Sequence, residues 1–382
     1  MLVQFSLKNY MLFKEETLLD FLPAPINEHK NSLLRDPVDQ EAILPVIGIY
    51  GPNGCGKSSV LKALSGLSAF LTGKPSLTGH SAPVFHLFSP ECSRLPVEFD
   101  LLFRNDVFLF RYQLKLTDRI ITDETLFYGF LGSEDAGILF SRSQSGIQLG
   151  KKVGNISIGS LSPSAPLLPI LAECSGSDHI RKAWEWFKQI RTVPSSGKPL
   201  LPDEEEKKGL ICRLLQDMDL DIRDYIISPK DRSSSLLLTH GLPGSQPVNI
   251  PYEAESEGTK KLLRLLPALL ESLENGGLLL ADDLDSFLHP QLLHFLINRF
   301  ANREKNPHNS QLLFTSHNTA VLQPTVLRRD EIWLCCRPEG KDALLYPLSS
   351  YKKENGLIPR NDEAYGKQYL EGRYGASPRI YM

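Results

Sequence analysis

The sequence predicts an α/β fold in which buried strands end in polar residues. An apolar run over residues 43–50 leads into a glycine-rich segment, and a helical pattern follows that segment. A second apolar run, 278–281, ends in two aspartates, and a third, 311–316, is followed by His317. Short apolar strands that alternate with longer helical patterns are typical of an α/β core.

The first of these segments has the spacing of a phosphate-binding loop. Residues 51–58 read G-x-x-x-x-G-K-S, between a strand and a helix, which is the context that a P-loop needs. The glycines let several backbone N–H groups point into one concavity, and the start of the helix adds its positive end. Lys57 is expected to reach the β- and γ-phosphates of ATP, and Ser58 to bind Mg²⁺; the alternative is a chance match. The residues predicted to contact the nucleotide here are Asn53, Gly54, Cys55, Gly56, Lys57, Ser58 and Ser59.

Composition limits the class of protein. The chain has 382 residues, 41% of them hydrophobic, and a net charge of −3, which argues against a generally basic nucleic-acid binder. Its six cysteines are scattered without metal-binding spacing, which fits a reducing cytosol. No apolar run approaches the roughly 20 residues that a membrane span needs. We therefore expect a cytoplasmic protein that does not enter a membrane.

The order of elements predicts three regions. Residues 1–160 begin with two short strands, contain the P-loop, and continue into a β hairpin whose turn is at 104–106. Residues 161–250 read as an inserted lobe, with helical segments first and strands after them. Residues 251–382 complete the core. The helical segments of the middle region are 166–174, 178–191 and 203–217.

The strand at 278–281 carries the predicted acidic residues. Asp282 would hold Mg²⁺, and Asp283 would act as the catalytic carboxylate. The alternative is that the two aspartates cap a helix or form a surface turn.

Two further segments complete the pattern. Ser256 and Gly258 stand where a periodic apolar helix begins, and such a start can offer N–H groups to a phosphate, although ordinary capping looks the same. His317 follows the strand 311–316, where a neutral imidazole could hydrogen-bond the γ-phosphate; a purely structural histidine is the alternative. The order of the four motifs favours the catalytic interpretation.

At this point the chain resembles a known group of proteins, the ABC-type ATPase heads of the RecF/SMC kind. In detail it is most similar to the stand-alone AAA/ABC ATPases of the AbiL and OLD type, which are encoded in bacterial phage-defence operons. The similarity covers both ends of the chain and is weak over 151–250. It rests on VQFSLKNYMLFKEE, YGPNGCGKSSVLKAL, SEGTKKLLRLLPALL, LLLADDLDSFLHP, LLFTSHNTAVL, RRDEIWL and YLEGRYGASP.

The resemblance implies an ABC-ATPase head, with a RecA-like P-loop core, an antiparallel β subdomain and the inserted helical lobe. It also implies a homodimer that sandwiches two ATP molecules, in which Ser256 and Gly258 of one subunit close over the γ-phosphate held by the other. Residues 286–289 would correspond to the D-loop at that interface, and His317 to the switch histidine. The leading functional hypothesis is an ATPase that regulates an effector in anti-phage defence, such as a TOPRIM- or HNH-type nuclease from the same operon.

The chain departs from the family pattern in two places. Asp283 stands where glutamate is common, and its shorter side chain predicts slow hydrolysis. No clear Q-loop glutamine follows the P-loop helix: Gln113 lies within a predicted strand, and the segment 85–87 is nearer the expected place. That role stays unassigned.

Two other functions remain open. One is a DNA-binding clamp for repair or chromosome maintenance, in the manner of RecF. The other, disfavoured by the missing Q-loop, is the nucleotide-binding subunit of a transporter. The basic residues that could contact DNA are Arg299, Arg303, Lys305, Arg328 and Arg329.

Overall fold

The computed structural model describes residues 1–74, 77, 89, 91–154, 156–227, 236–241, 246–339, 341–353 and 356–377. It has the predicted α/β architecture, with one mainly parallel sheet, one antiparallel sheet and helices around them. The helices in these residues are α1 (Lys57–Thr72), α2 (Leu167–Cys174), α3 (Asp178–Lys188), α4 (Glu205–Asp217), α5 (Glu257–Asn275), α6 (Pro290–Ala301) and α7 (Tyr365–Leu370).

A six-stranded sheet forms the centre of the molecule. Its strands lie in the order β11-β15-β16-β5-β17-β18, and every pair is parallel except the last. Parallel strands need long crossover connections, so strands that are distant in sequence become neighbours here. The strands are β5 (Val46–Tyr50), β11 (Ile190–Thr192), β15 (Leu278–Ala281), β16 (Gln311–Ser316), β17 (Ile332–Cys336) and β18 (Leu344–Pro347).

The central sheet is buried on both faces, which explains why its strands read as continuous apolar runs. Side chains alternate along each strand, so Ile47 and Ile49 of β5 enter one core while Val46 and Tyr50 enter the other. The first core also contains α1, α2, α3 and the antiparallel sheet. The second contains residues of α4, α5, α6 and α7.

The antiparallel sheet has seven strands in the order β10-β9-β8-β7-β6-β1-β2. The predicted hairpin is present: β7 pairs with the whole length of β6, and Asp106 turns the chain with a φ of 57°. This sheet is the predicted antiparallel β subdomain, so that part of the fold class is confirmed. Its strands are β1 (Leu2–Lys8), β2 (Thr17–Asp20), β6 (Val97–Asn105), β7 (Phe108–Thr117), β8 (Ile120–Phe130), β9 (Ala136–Ser143) and β10 (Gly146–Leu149).

Two small sheets complete the strands. One has three antiparallel strands, in the order β12-β13-β14, and the other pairs β3 with β4. Their bounds are β3 (Leu34–Arg35), β4 (Ala42–Ile43), β12 (Ile222–Ile227), β13 (Leu236–His240) and β14 (Val248–Pro251).

Helices from the middle of the chain pack into both hydrophobic cores. Helices α2 and α3 pack beside α1, whereas α4 packs on α5 and on β12. The predicted helix 178–191 ends earlier, at Lys188, because Ile190–Thr192 pairs with β15 and extends the central sheet. The boundaries 161–250 stay a prediction. Among the described residues, no helix is long and apolar enough to cross a membrane.

Candidate nucleotide-binding site

The glycine-rich loop connects β5 to α1, as predicted. Gly56 has a φ of 118°, which side-chain-bearing residues rarely adopt, so the turn into the helix requires glycine at this position. Lys57 is the first residue of α1, and its ammonium nitrogen donates to the carbonyls of Gly51 at 2.9 Å and Pro52 at 3.1 Å. The Lys57 side chain therefore lies folded over its own loop, where phosphate oxygens could replace the two carbonyls.

The two predicted acidic residues follow β15 directly. The Asp282 carboxylate oxygen Oδ1 accepts a hydrogen bond from the Thr315 hydroxyl at 2.7 Å, and the backbone N–H of Asp283 donates to the same hydroxyl at 2.7 Å. Asp283 has a left-handed backbone, with a φ of 46°, and its side chain is exposed. The turn that holds both carboxylates is therefore fixed by β16.

His317 lies where β16 ends, and its imidazole is at the surface. Its backbone N–H donates to the carboxylate of Asp285 at 3.2 Å. The other oxygen of Asp285 is buried without a hydrogen-bond partner among the described residues. Asp285 thus links the turn after β15 to the turn after β16, a role that the sequence did not indicate.

The three motifs meet at one edge of the central sheet. Strands β15, β16 and β5 are consecutive and parallel, with Ala281 opposite Phe314 and Ser316 opposite Tyr50. Asp282, His317 and the P-loop therefore leave the sheet at the same edge. Neighbouring strands are about 4.8 Å apart, so the acidic turn and the P-loop begin roughly 10 Å from each other. Ligands of open α/β sheets bind at this edge, outside the carboxyl ends of the strands.

The oxygen atoms at this edge fit magnesium. The Asp282 oxygen Oδ2 makes no hydrogen bond within the described part of the chain, and the Ser58 side chain lies half-buried in the first turn of α1. No cluster of three or more potential metal ligands is present among the described residues. A site with only two protein oxygens, one from Ser58 and one from Asp282, suits Mg²⁺, because this ion binds one or two protein oxygens and completes its shell with water and phosphate.

The start of α5, with Ser256 and Gly258, forms a surface with the turn after β15. Ser256 caps α5: its hydroxyl accepts from the Thr259 N–H at 3.1 Å. Gly258 lies so close to this turn that an added Cβ would stand 2.8 Å from the Phe287 carbonyl oxygen. Phe287 is 70% exposed and has a left-handed φ of 63°. We call Ser256, Gly258 and Phe287 the signature surface.

Lys261 joins α5 to the turn that carries Asp282 and Asp283. It is buried, and its ammonium nitrogen donates to the Asp283 carbonyl at 3.2 Å. Burial lowers the pKa of Lys261, and the neighbouring Arg264 lowers it further. Lys261 stands four residues before Leu265 and eight before Leu269, on the buried stripe of α5. The sequence feature that could have indicated this contact is a lysine on the apolar stripe of a helix.

Two thiols meet beneath the P-loop. The Cys335 thiol, in β17, donates to the Cys55 carbonyl at 3.2 Å, and both side chains are buried. The adjacent Cys335 side chain, acting on the Cys55 sulfur, lowers the pKa of the Cys55 thiol to about 7, and the nearby Lys57 ammonium contributes to the lowering.

Some predicted residues lie elsewhere. Gln113 is in the middle of β7 and donates to Asp100, so it is not a Q-loop residue, and the segment 85–87 falls outside the described residues. Four of the five basic residues proposed for DNA contact are engaged inside the chain and do not form a free patch. The pairs are Arg299 with Asp217, Arg303 with the Leu33 carbonyl, Arg328 with Asp330, and Arg329 with Glu28.

Solved structures similar to this chain include two SMC head domains. The SMC head domain from Thermotoga maritima is 15% identical, and the match covers 91% of this chain and 98% of that one, with a TM-score of 0.42. The Smc head domain from Pyrococcus furiosus, with an extended coiled coil and bound to the C-terminal domain of ScpA, is 12% identical. That match covers 91% of this chain and 96% of the other, with a TM-score of 0.42. No curated protein sequence matches the chain.

A protein-family model covers most of the site. The family described as "AAA domain, putative AbiEii toxin, Type IV TA system" matches residues 46–155 and 175–323. These stretches include the P-loop, the signature surface, both aspartates and His317. Since they make up more than half of the sequence, the chain belongs to this AAA-domain family.

Proposed function

We propose that this protein is an ATPase that binds ATP with Mg²⁺ at the edge of the central sheet and hydrolyses it slowly. The observation that carries the proposal is the meeting of the P-loop, Asp282 and His317 on three consecutive parallel strands. These side chains come from distant parts of the sequence, and their shared edge is the place where an α/β sheet binds ligands.

Each residue has a distinct task in this proposal. The loop N–H groups and the start of α1 hold the phosphates, and Lys57 exchanges its two carbonyl contacts for β- and γ-phosphate oxygens. Ser58 and Asp282 hold Mg²⁺, which neutralises charge that develops on the phosphates. His317 hydrogen-bonds the γ-phosphate.

Asp283 orients and deprotonates the attacking water. Its side chain is exposed at the site and is one methylene shorter than glutamate, so its carboxylate stands farther from the reacting phosphate. Misplacement of about 1 Å can cost roughly 100-fold in rate. Slow turnover would keep the ATP-bound state populated for long periods, which suits a regulator.

The signature surface would contact ATP bound by a second copy of the chain. Because the Ser256 hydroxyl already caps Thr259, the donors at the start of α5 without a partner in the described part of the chain are the backbone N–H groups of Glu257 and Gly258. These donors and the positive end of the helix favour a phosphate. The exposed ring of Phe287 supplies apolar area beside them.

Nucleotide binding and hydrolysis test this proposal directly. A fluorescent ATP analogue should bind the wild-type protein with Mg²⁺, and phosphate release should be measurable but slow. Lys57→Ala should lose nucleotide binding, whereas Asp283→Asn should bind and fail to hydrolyse. Tight binding by Lys57→Ala, or hydrolysis at the wild-type rate by Asp283→Asn, would contradict the assignment.

We further propose that the nucleotide state is passed to an effector in bacterial anti-phage defence, as in AbiL- and OLD-type ATPases in the cytoplasm. The support is the resemblance of the motifs and the toxin–antitoxin description of the matched family. The effector would be a nuclease of the TOPRIM or HNH type from the same operon. Affinity capture with and without ATP should retain the effector in one nucleotide state; capture of no operon partner and unchanged phage sensitivity after gene deletion would refute this part.

A further inference from the structure

Thr315 makes three contacts with the turn that carries both acidic residues. Its hydroxyl donates to the Asp282 carboxylate at 2.7 Å and accepts from the Asp283 N–H at 2.7 Å. Its carbonyl accepts from the Leu284 N–H at 3.0 Å. The side chain is fully buried in β16.

These contacts use the hydroxyl in a directional way. A hydroxyl has a single proton, and here that proton goes to the Oδ1 atom of Asp282. The Asp282 carboxylate is thereby held with its other oxygen, Oδ2, available to a ligand. The same hydroxyl oxygen fixes the backbone of Asp283, whose left-handed conformation persists only where the surroundings hold it.

The neighbouring hydroxyl cannot replace it. Ser316 points to the opposite face of β16 and accepts from the Asn318 N–H at 2.9 Å. Valine has the shape of threonine without the hydroxyl, and it would leave both the Asp283 N–H and the Asp282 Oδ1 atom without this partner.

We propose that Thr315 is a positioning residue: it orients the Asp282 carboxylate toward the metal ion and sets the backbone that presents Asp283. This inference rests on the proposed function, because it assumes that Asp282 binds the metal of a metal–nucleotide complex. Groups that orient a metal ligand typically affect metal affinity by 10–100-fold.

Measurements of metal affinity and of metal-free nucleotide binding distinguish the positioning role of Thr315 from the proposed nucleotide-binding function. Mn²⁺ replaces Mg²⁺ in this experiment. Protein with ATPγS is titrated into Mn²⁺, and the decrease of the free Mn²⁺ signal in electron paramagnetic resonance measures the bound metal. A fluorescent ATP analogue in EDTA reports metal-free nucleotide binding. Thr315→Val should weaken Mn²⁺ binding in the ternary complex about 10-fold, and Thr315→Ser, which keeps the hydroxyl, should stay near wild type. Metal-free binding should not change in either variant.

A matched control lies directly before the other end of the same strand. The buried hydroxyl of Ser310 donates to the Ser272 carbonyl, far from the acidic turn, so Ser310→Ala loses a buried hydrogen bond without touching the site. Its Mn²⁺ affinity should equal that of the wild type. If Thr315→Val does not fold, Thr315→Cys replaces it, since a thiol is a weak donor of similar size. Thr315→Cys should lose as much Mn²⁺ affinity as Thr315→Val.

The outcomes are distinct. If the wild type binds no Mn²⁺ with ATPγS, the proposed function is wrong. If the wild type binds and Thr315→Val binds equally well, or if Ser310→Ala loses as much affinity, the positioning role is overturned. A Thr315→Ser variant that binds Mn²⁺ as weakly as Thr315→Val would also overturn the positioning role.

Discussion

Replacing Gly258 with alanine should weaken the ATP-dependent dimer. The new Cβ would stand 2.8 Å from the Phe287 carbonyl oxygen, about 0.6 Å inside the 3.4 Å at which ordinary contact begins. The obstacle is backbone, so either the start of α5 or the turn after β15 must move. Overpacking of this kind typically costs about 1–3 kcal/mol. Both elements belong to the signature surface, and the displacement therefore falls on the predicted interface.

The effect on stability should differ from the effect on assembly. In a helix, glycine is less favourable than alanine by roughly 0.5–1 kcal/mol, which offsets part of the clash in the isolated chain. Gly209→Ala is the matched control, because Gly209 lies within α4 and its added Cβ would meet no atom within 4 Å. That variant should gain stability and dimerise normally.

Analytical ultracentrifugation with ATP and Mg²⁺, in an Asp283→Asn background that blocks hydrolysis, measures the dimer dissociation constant. We expect Gly258→Ala to raise it about 10-fold, which corresponds to ~1.4 kcal/mol, and Gly209→Ala to leave it unchanged. A Gly258→Ala protein that dimerises as tightly as its parent would refute the assignment of this surface.

Three further predictions concern single side chains. Asp283→Glu should raise the rate of ATP hydrolysis about 10-fold, because the longer side chain brings the carboxylate nearer the water, and a phosphate-release assay that shows equal or slower turnover would contradict this. Glu331 is buried, which raises the pKa of its carboxyl group to about 8, and one of its oxygens has no partner among the described residues. Because the folded state then binds the proton more tightly than the unfolded state, stability should fall as pH rises from about 4.5 to 8, by roughly 3 kcal/mol at pH 7. Glu331→Gln should remove this pH dependence in urea denaturation at pH 5, 7 and 8.5, and parallel curves for the two proteins would disprove it. Finally, the Cys55 thiol is buried in the P-loop, so iodoacetamide reaches it only when the loop opens, and bound ATP should slow its alkylation. Peptide mass spectrometry reads the modification, and a rate that does not slow with ATP would place Cys55 outside the bound loop.

The sequence predicted the elements whose signals are local. Glycine, lysine and serine at fixed spacing specify the P-loop, and apolar runs that end in Asp282 or before His317 specify buried strands. Their meeting at one edge follows from a general property of parallel sheets, so the candidate site could be anticipated without coordinates. Helix 178–191 was predicted too long because its last residues had a partner, β15, that is distant in sequence.

Contacts between distant segments could not be anticipated. Nothing near Thr315 indicates that its hydroxyl meets Asp282. Thr315 stands 32 positions after Asp283 in the sequence, and only the pairing of β15 with β16 makes them neighbours. Arg328 and Arg329 read as free basic residues, yet both contact Glu28 from the other end of the sequence: Arg328 donates to its carbonyl and Arg329 pairs with its carboxylate. Local sequence patterns predict whether a segment forms a helix, a strand or a loop, whereas tertiary contacts decide which charged side chains are paired.

The mass of the Asp283→Asn protein with ATP and Mg²⁺ tests the central claim most directly. Light scattering coupled to size exclusion should show the 42.8 kDa chain as a monomer without nucleotide and at twice that mass with ATP. The double variant Lys57→Ala/Asp283→Asn should remain monomeric in both conditions. A single-variant protein that binds ATP and stays monomeric would contradict the shared-nucleotide dimer.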